Sequence, residues 1–128
     1  MDWITEQIAI GNFIDAQNAL NEVDAILCLK ENCCDEGRVD LEILTLPLFD
    51  GFGNDKRLFD EAVGFIDDVV SDGEKILVHC HAGRSRSVCI VARYFMIKNG
   101  MDRKEALLKI ESKRDIYLSP GIEEILMI

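Results

Sequence analysis

Short apolar runs recur along the chain and predict the strands of a buried sheet. Each run is bounded by polar or turn-forming residues, which is typical of strands rather than of amphipathic helices. The predicted strands are QIAIGN (7–12), AILCL (25–29), LEILTLPL (41–48) and KILVH (75–79). Because KILVH is apolar almost throughout, we expect it in the centre of the sheet, covered on both faces.

Segments with helical spacing of apolar residues alternate with these strands. They are residues 14–23, 56–71, 88–100 and 101–110. A last helix is predicted after Ser119 and Pro120, which suit the N-cap and the first helical position. The pattern predicts an α/β fold with a central sheet of four to five mostly parallel strands flanked by helices.

Polar and turn-forming residues mark the helix boundaries and the loops. Asp55 can cap the helix that follows it, and the spacing of Asp102 and Glu105 fits a capping box. Residues 31–40 are polar and are predicted to form a loop, and residues 50–55 are rich in turn-forming types.

Length and cysteine content restrict the class of protein. The 128 residues suit a single domain, residues 1–128, that can bury a core without disulfides or metals. The five cysteines form an odd set without a CxxC pair, and no secretory signal pattern is visible. No apolar run approaches the roughly 20 residues of a membrane span. We therefore expect a soluble, cytoplasmic protein with reduced thiols.

Charge is distributed unevenly along the chain. The net charge of −10 disfavours general binding to nucleic acids or other polyanions. Residues 84–114 nevertheless contain nine basic and three acidic residues, a local charge of +6. Positive charge is therefore concentrated beside the most unusual motif of the chain.

That motif is HCHAGRSRS, residues 79–87, between the fourth predicted strand and the third predicted helix. Backbone N–H groups and the helix dipole converge at such a corner, which makes it a common anion site in α/β proteins. Gly83 permits a positive φ and close approach of a ligand. A cysteine in this field is favoured as a thiolate, so we predict that Cys80 is a nucleophile. The planar guanidinium of Arg86 can bind two oxygens of a tetrahedral dianion, and the motif therefore predicts phosphoryl transfer.

The motif also resembles the signature of a known family. His79, Cys80, five loop residues, Arg86 and Ser87 are similar to the H-C-x5-R-S signature of cysteine-based protein phosphatases. The text CHAGRSRS resembles the dual-specificity branch in particular. Residues 8–20 and 87–120 resemble further segments of that branch, so the resemblance covers essentially the whole chain.

The resemblance implies a role for each residue of the motif. Cys80 would form a phosphocysteine intermediate, Arg86 would hold the phosphate, and Ser87 would steady the departing thiolate. His79 would support the loop from behind. No metal or other cofactor is implied. The backbone of the remaining residues would line the phosphate: His81, Ala82, Gly83, Arg84 and Ser85.

A general acid is also needed, because the leaving oxygen must be protonated and a water molecule later activated. Asp50 and Asp55 lie in the turn-rich segment after the third predicted strand. Asp50 precedes Cys80 by 30 residues, the separation that the resemblance implies. We therefore expect Asp50 to be the acid and Asp55 to cap the next helix.

The substrate is less narrowly defined than the chemistry. The chain has no segment that could build tall walls around the loop, so we expect a shallow pocket that admits phosphotyrosine, phosphoserine and phosphothreonine of proteins. Phosphoinositides and RNA 5′-phosphates are alternative substrates, and a non-catalytic phosphoresidue-binding module is an alternative function. We expect a monomer with a phosphorylated protein as its partner, without nucleic acid or membrane.

Other chemistries fit these residues less well. A zinc site around the histidines would require adjacent residues of an extended strand to point to the same face. GRSRS lacks the second glycine of the serine-nucleophile elbow, and the nucleotide-binding pattern G-x4-G-K-[ST] does not occur. A rhodanese-like sulfurtransferase is disfavoured by Arg86 and Ser87.

An exposed thiolate is readily oxidised, and a second cysteine can trap the first oxidation product as a disulfide. Residues 25–29 and 75–79 are predicted to form neighbouring strands. Cys28 is therefore the expected disulfide partner of an oxidised Cys80.

Overall fold

Five strands form one sheet in the computed structural model, which describes residues 1–19, 21–31 and 41–128. The strand order is β1-β2-β5-β3-β4, and every neighbouring pair is parallel except β1 with β2. The predicted α/β fold with a mostly parallel sheet is confirmed, as is the central position of the KILVH strand. The strands are β1 (Asp2–Trp3), β2 (Ile8–Gly11), β3 (Ala25–Cys28), β4 (Glu42–Thr45) and β5 (Ile76–His79).

Helices cover both faces of this sheet. The larger apolar core lies between one face and α2, α3, α4 and a terminal 3-10 helix, and the smaller core includes α1 on the opposite face. Because β5 is flanked on both sides and both faces, its carboxyl end is a rigid base for the loop that follows. The helices are α1 (Phe13–Asn18), α2 (Lys56–Ser71), α3 (Arg86–Asn99), α4 (Arg103–Glu111) and the 3-10 helix (Ile122–Leu126).

The predicted caps at the starts of α2 and α4 are confirmed, whereas the predicted cap at Ser119 is wrong, because the last helix begins after Gly121. The Asp55 side chain accepts a hydrogen bond from the backbone N of Arg57 at the start of α2. Asp102 and Glu105 form a complete capping box at the start of α4. These short-range signals depend only on residues within one turn of the helix.

Several predicted boundaries are wrong. The first helix begins after its N-cap Asn12 and ends at Asn18 rather than continuing to residue 23, and β1 was not predicted at all. The last helix is a 3-10 helix that begins at Ile122, because Gly121 has a left-handed φ of 91°. The loop predicted for residues 31–40 lies outside the described residues except for residue 31.

The sheet register overturns the predicted pairing of Cys28 with Cys80. Cys28 is the register partner of His79 on β5, so the two side chains lie on the same face and that of Cys80 lies on the opposite face. Cys80 is a free thiol. Among the described residues, no helix is long and apolar enough to cross a membrane.

His79 ends β5 and is completely buried, with 0% of its surface exposed. Its Nδ1 lies 3.3 Å from the carbonyl oxygen of Cys80. Burial lowers the pKa of His79 to about 4, because the imidazolium ion would lose its hydration in this position. The ring is therefore neutral at physiological pH.

We expect the protein to lose stability as the pH falls from about 6.5 to about 4, because the unfolded chain then protonates His79 whereas the folded chain does not. Urea titrations near neutrality and near pH 4.5 measure the free energy of unfolding, which should fall less for His79→Asn than for the wild type. A folded-state imidazole NMR signal of His79 that titrates near pH 6.5 would contradict this prediction.

Candidate active site

Cys80 follows β5 directly and begins the cysteine loop, which we define as residues 80–85. Its Sγ accepts a hydrogen bond from the backbone N of Gly83 at 3.3 Å and lies 3.3 Å from the hydroxyl oxygen of Ser87. Both Cys80 and Ser87 are buried. A backbone N–H and a hydroxyl thus converge on one sulfur, and both can donate to it when it carries negative charge.

Gly83 is required for the loop to turn this tightly. Its φ is 70°, which is a left-handed conformation that L side chains rarely adopt. A Cβ at this position would lie 2.5 Å from the carbonyl oxygen of Gly11 on β2 and 2.5 Å from Nη2 of Arg114. Both the backbone conformation and the lack of space therefore exclude a larger residue.

Arg86 begins α3 and is held by two carbonyl groups at the carboxyl edge of the sheet. Its Nη1 donates to the carbonyl oxygen of Leu48 at 3.2 Å and to that of Leu29 at 3.4 Å. Its Nε is buried and has no hydrogen-bond partner among the described residues. A buried, unpaired donor on a fixed guanidinium is suited to an oxyanion that enters from solution.

The other predicted loop residues lie around this centre. Gly83 and Ser85 are buried, whereas His81, Ala82 and Arg84 are exposed. The His81 ring stacks on Phe13 of α1, with centroids 4.9 Å apart and planes 7° from parallel. The structure therefore brings the loop, Arg86 and Ser87 together at the carboxyl end of β5, with His79 behind them.

Asp50 lies in the turn after β4 and is exposed. Its Oδ2 accepts a hydrogen bond from the Ser119 hydroxyl at 2.6 Å, and the backbone N of Ser119 donates to Oγ of Ser85 at 3.0 Å. Two hydrogen bonds through one serine thus connect Asp50 to the cysteine loop. Asp55, in contrast, caps α2.

Sequence reasoning missed the residues that hold the turn carrying Asp50 in place. The Asn54 side chain bonds the backbone N and O of Phe49 at 2.7 and 3.0 Å. One carboxylate oxygen of Glu124 accepts from the backbone N of Gly53 and of Asn54 at 3.0 and 2.8 Å. Asn54 lay within a recognised turn, but Glu124 is 70 residues away from Asn54 and carried no visible signal.

Cys89 is the second free thiol among the described residues. It is completely buried in α3, and burial raises its pKa to about 12. Cys89 therefore remains a protonated core residue. The described residues also contain no group of three or more His, Cys, Asp or Glu side chains that could hold a metal ion.

Known proteins resemble this chain in sequence and in fold. Residues 6–127 match the family described as dual specificity phosphatase, catalytic domain. The chain is 48% identical over 63 residues to Dual specificity protein phosphatase 1 of Arabidopsis thaliana, covering 49% of this chain and 32% of that protein. The chain spans 27 to 38% of the length of the first curated relatives that it matches.

Solved structures share the complete fold. The human tyrosine phosphatase-like serine/threonine/tyrosine-interacting protein has a TM-score of 0.89 at 26% identity, covering 99% of this chain and 93% of that one. DUSP15 has a TM-score of 0.81 at 28% identity, covering 97% of this chain and 83% of that one. The chain therefore belongs to the dual specificity phosphatase catalytic-domain family, which lies in the protein-tyrosine-phosphatase superfamily of hydrolases.

Proposed function

We propose that this chain hydrolyses phosphomonoesters of phosphotyrosine, phosphoserine and phosphothreonine in proteins through a phosphocysteine intermediate. The main support is the arrangement of Cys80 and Arg86. Donors from Gly83 and Ser87 converge on the sulfur, and the buried Nε of Arg86 has no partner among the described residues. A phosphate in the loop would supply the hydrogen-bond acceptor that Nε of Arg86 lacks.

The reaction proceeds in two displacements at phosphorus. The Cys80 thiolate attacks the phosphorus atom, the bond to the ester oxygen breaks, and Asp50 protonates the leaving oxygen. In the second step Asp50, now a carboxylate, takes a proton from a water molecule that attacks the phosphocysteine. The products are inorganic phosphate and the Cys80 thiolate, which the Ser87 hydroxyl stabilises.

Exposed aromatic side chains favour a protein substrate. Phe49 and Phe52 flank Asp50 and are 72% and 79% exposed. Tyr117 is 67% exposed, and its backbone N donates to the carbonyl oxygen of Arg84 in the cysteine loop. Apolar rings around a phosphate site suit the side chains of a peptide better than the charged headgroup of a phosphoinositide or an RNA end.

A second candidate is a non-catalytic module that binds phosphorylated residues. The similarity to the tyrosine phosphatase-like serine/threonine/tyrosine-interacting protein is the observation that favours it. The presence of Cys80, Arg86 and a carboxylic acid that Ser119 links to the loop favours catalysis instead. A single catalytic domain at residues 1–128, a monomeric state and a cytoplasmic location stay predictions.

We expect Cys80→Ser to abolish hydrolysis of para-nitrophenyl phosphate in EDTA while tungstate binding is retained, because the anion cradle is mainly backbone. Arg86→Lys should also be inactive, since an ammonium group cannot replace a planar, two-pronged guanidinium. Cys89→Ala is the matched control and should remain active. Substantial turnover by Cys80→Ser, or a requirement for added zinc or magnesium, would contradict the cysteine mechanism.

We expect Asp50→Asn to lower kcat by about 10²- to 10⁴-fold for poor leaving groups and less for activated aryl phosphates. Asp55→Asn is the control and should keep its kcat, because Asp55 accepts a hydrogen bond at the start of α2. The opposite result for the two variants would assign the acid to Asp55.

A further inference from the structure

Residues 114–119, between α4 and the terminal 3-10 helix, contact the cysteine loop along its length, and we call this segment the strap. Nε and Nη2 of Arg114 donate to the carbonyl oxygens of Gly83 and Ala82 at 2.6 and 3.4 Å. The backbone N of Tyr117 and of Ser119 donate to Arg84 O and Ser85 Oγ, both at 3.0 Å. The strap therefore contacts four consecutive loop residues.

Arg114 is oriented for this task by a second partner. Its side chain is only 12% exposed, and its Nη1 pairs with the carboxylate of Asp2 on β1 at 2.8 Å. One guanidinium thus connects the edge of the sheet with two carbonyl groups of the loop. A planar fork suits this arrangement, whereas a lysine ammonium would be a single point charge.

The Arg114 contacts determine where the loop N–H groups point. In a planar trans peptide, the C=O of one residue and the N–H of the next point in opposite directions. Arg114 holds the carbonyl group of Ala82 on the outside of the loop, and the N–H of Gly83 correspondingly donates to Sγ of Cys80. The carbonyl of Gly83 is held in the same way.

Ser119 acts on the other half of the machinery. Asn54 and Glu124 hold the turn that carries Asp50 through hydrogen bonds to its backbone groups. Among the described residues, the only hydrogen bond to the Asp50 carboxyl comes from the Ser119 hydroxyl, at 2.6 Å. This bond engages Oδ2 and leaves Oδ1 available to carry the proton for the leaving group.

We propose that the strap couples the two halves of the active site, with Ser119 as the positioning residue of the acid and Arg114 as that of the cysteine loop. This inference rests on the proposed function, in which Asp50 is the general acid. Neither side chain needs to touch the substrate. Ser119 acts through Asp50, and Arg114 acts through the peptide groups that bind the phosphate.

A double-mutant cycle between Asp50 and Ser119 tests the acid half, with phenyl phosphate as the poor leaving group and para-nitrophenyl phosphate as the good one. Ser119→Ala should lower kcat on phenyl phosphate about tenfold, with a smaller effect on the activated ester. The double variant with Asp50→Asn should be no slower than Asp50→Asn alone. Ser119→Thr should restore the rate.

Ser112→Ala is the matched control, because the Ser112 hydroxyl donates to the Lys109 carbonyl at the end of α4, away from the acid. It should leave both rates unchanged. If Asp50→Asn slows the reaction but Ser119→Ala has no effect or an additive one, the role of Ser119 is overturned. If Asp50→Asn itself has no effect, the acid assignment fails, and the role of Ser119 fails with it.

Orthovanadate inhibition tests the loop half. Arg114→Lys should raise the inhibition constant for vanadate and the KM for para-nitrophenyl phosphate by about tenfold each, because misaligned N–H groups bind the oxyanion less well. Asp2→Asn should shift both in the same direction by less. Because Arg114→Lys keeps the positive charge, Lys113→Arg at the exposed neighbouring position is the matched control, and it should shift neither. Urea titrations must show Arg114→Lys folded at the assay temperature, and unchanged vanadate inhibition in that folded variant would overturn the proposal.

Discussion

The candidate active site depends on one tight reversal of the backbone between Cys80 and Arg86. Gly83 makes this reversal possible through its positive φ and its lack of a Cβ, since the loop passes directly over the Gly11 carbonyl of β2. The reversal turns the Gly83 N–H towards the Cys80 sulfur. Any side chain at residue 83 would push the loop away from the sheet and lose that contact, because a backbone carbonyl cannot move aside as a flexible side chain can.

Burial has different consequences for the two charged or polar side chains of this centre, His79 and Arg86. His79 lies in the core behind the loop, and burial keeps it neutral by lowering its pKa to about 4. Arg86 is anchored through Nη1 at the carboxyl edge of the sheet, which leaves its Nε as an unpaired donor within the described structure. The proposed function requires this acidic protein to bind a dianion, which the local donors and the helix dipole favour over the distant negative charge.

The cysteine loop and the turn that carries Asp50 come from distant parts of the chain, and side chains from other segments connect them. Glu124 holds the turn that carries Asp50, and Ser119 links the Asp50 carboxyl to Ser85 of the cysteine loop. These contacts span 34 to 71 residues in sequence. The order of elements along the chain alone does not specify them.

The sequence by itself determined the order and type of the main elements, the central strand, two helix caps and the position of the cysteine loop between β5 and α3. Those features depend on apolar periodicity and on residues within a few positions of one another, as in Asp102 with Glu105 or in residues 79–87. Only the tertiary structure decided what distant residues do. Ser119 was expected to cap a helix, yet its hydroxyl bonds Asp50, and Cys28 was expected to meet Cys80, yet the register puts it on the opposite face. A hydroxyl or thiol has several partners of similar energy, and three-dimensional proximity selects among them.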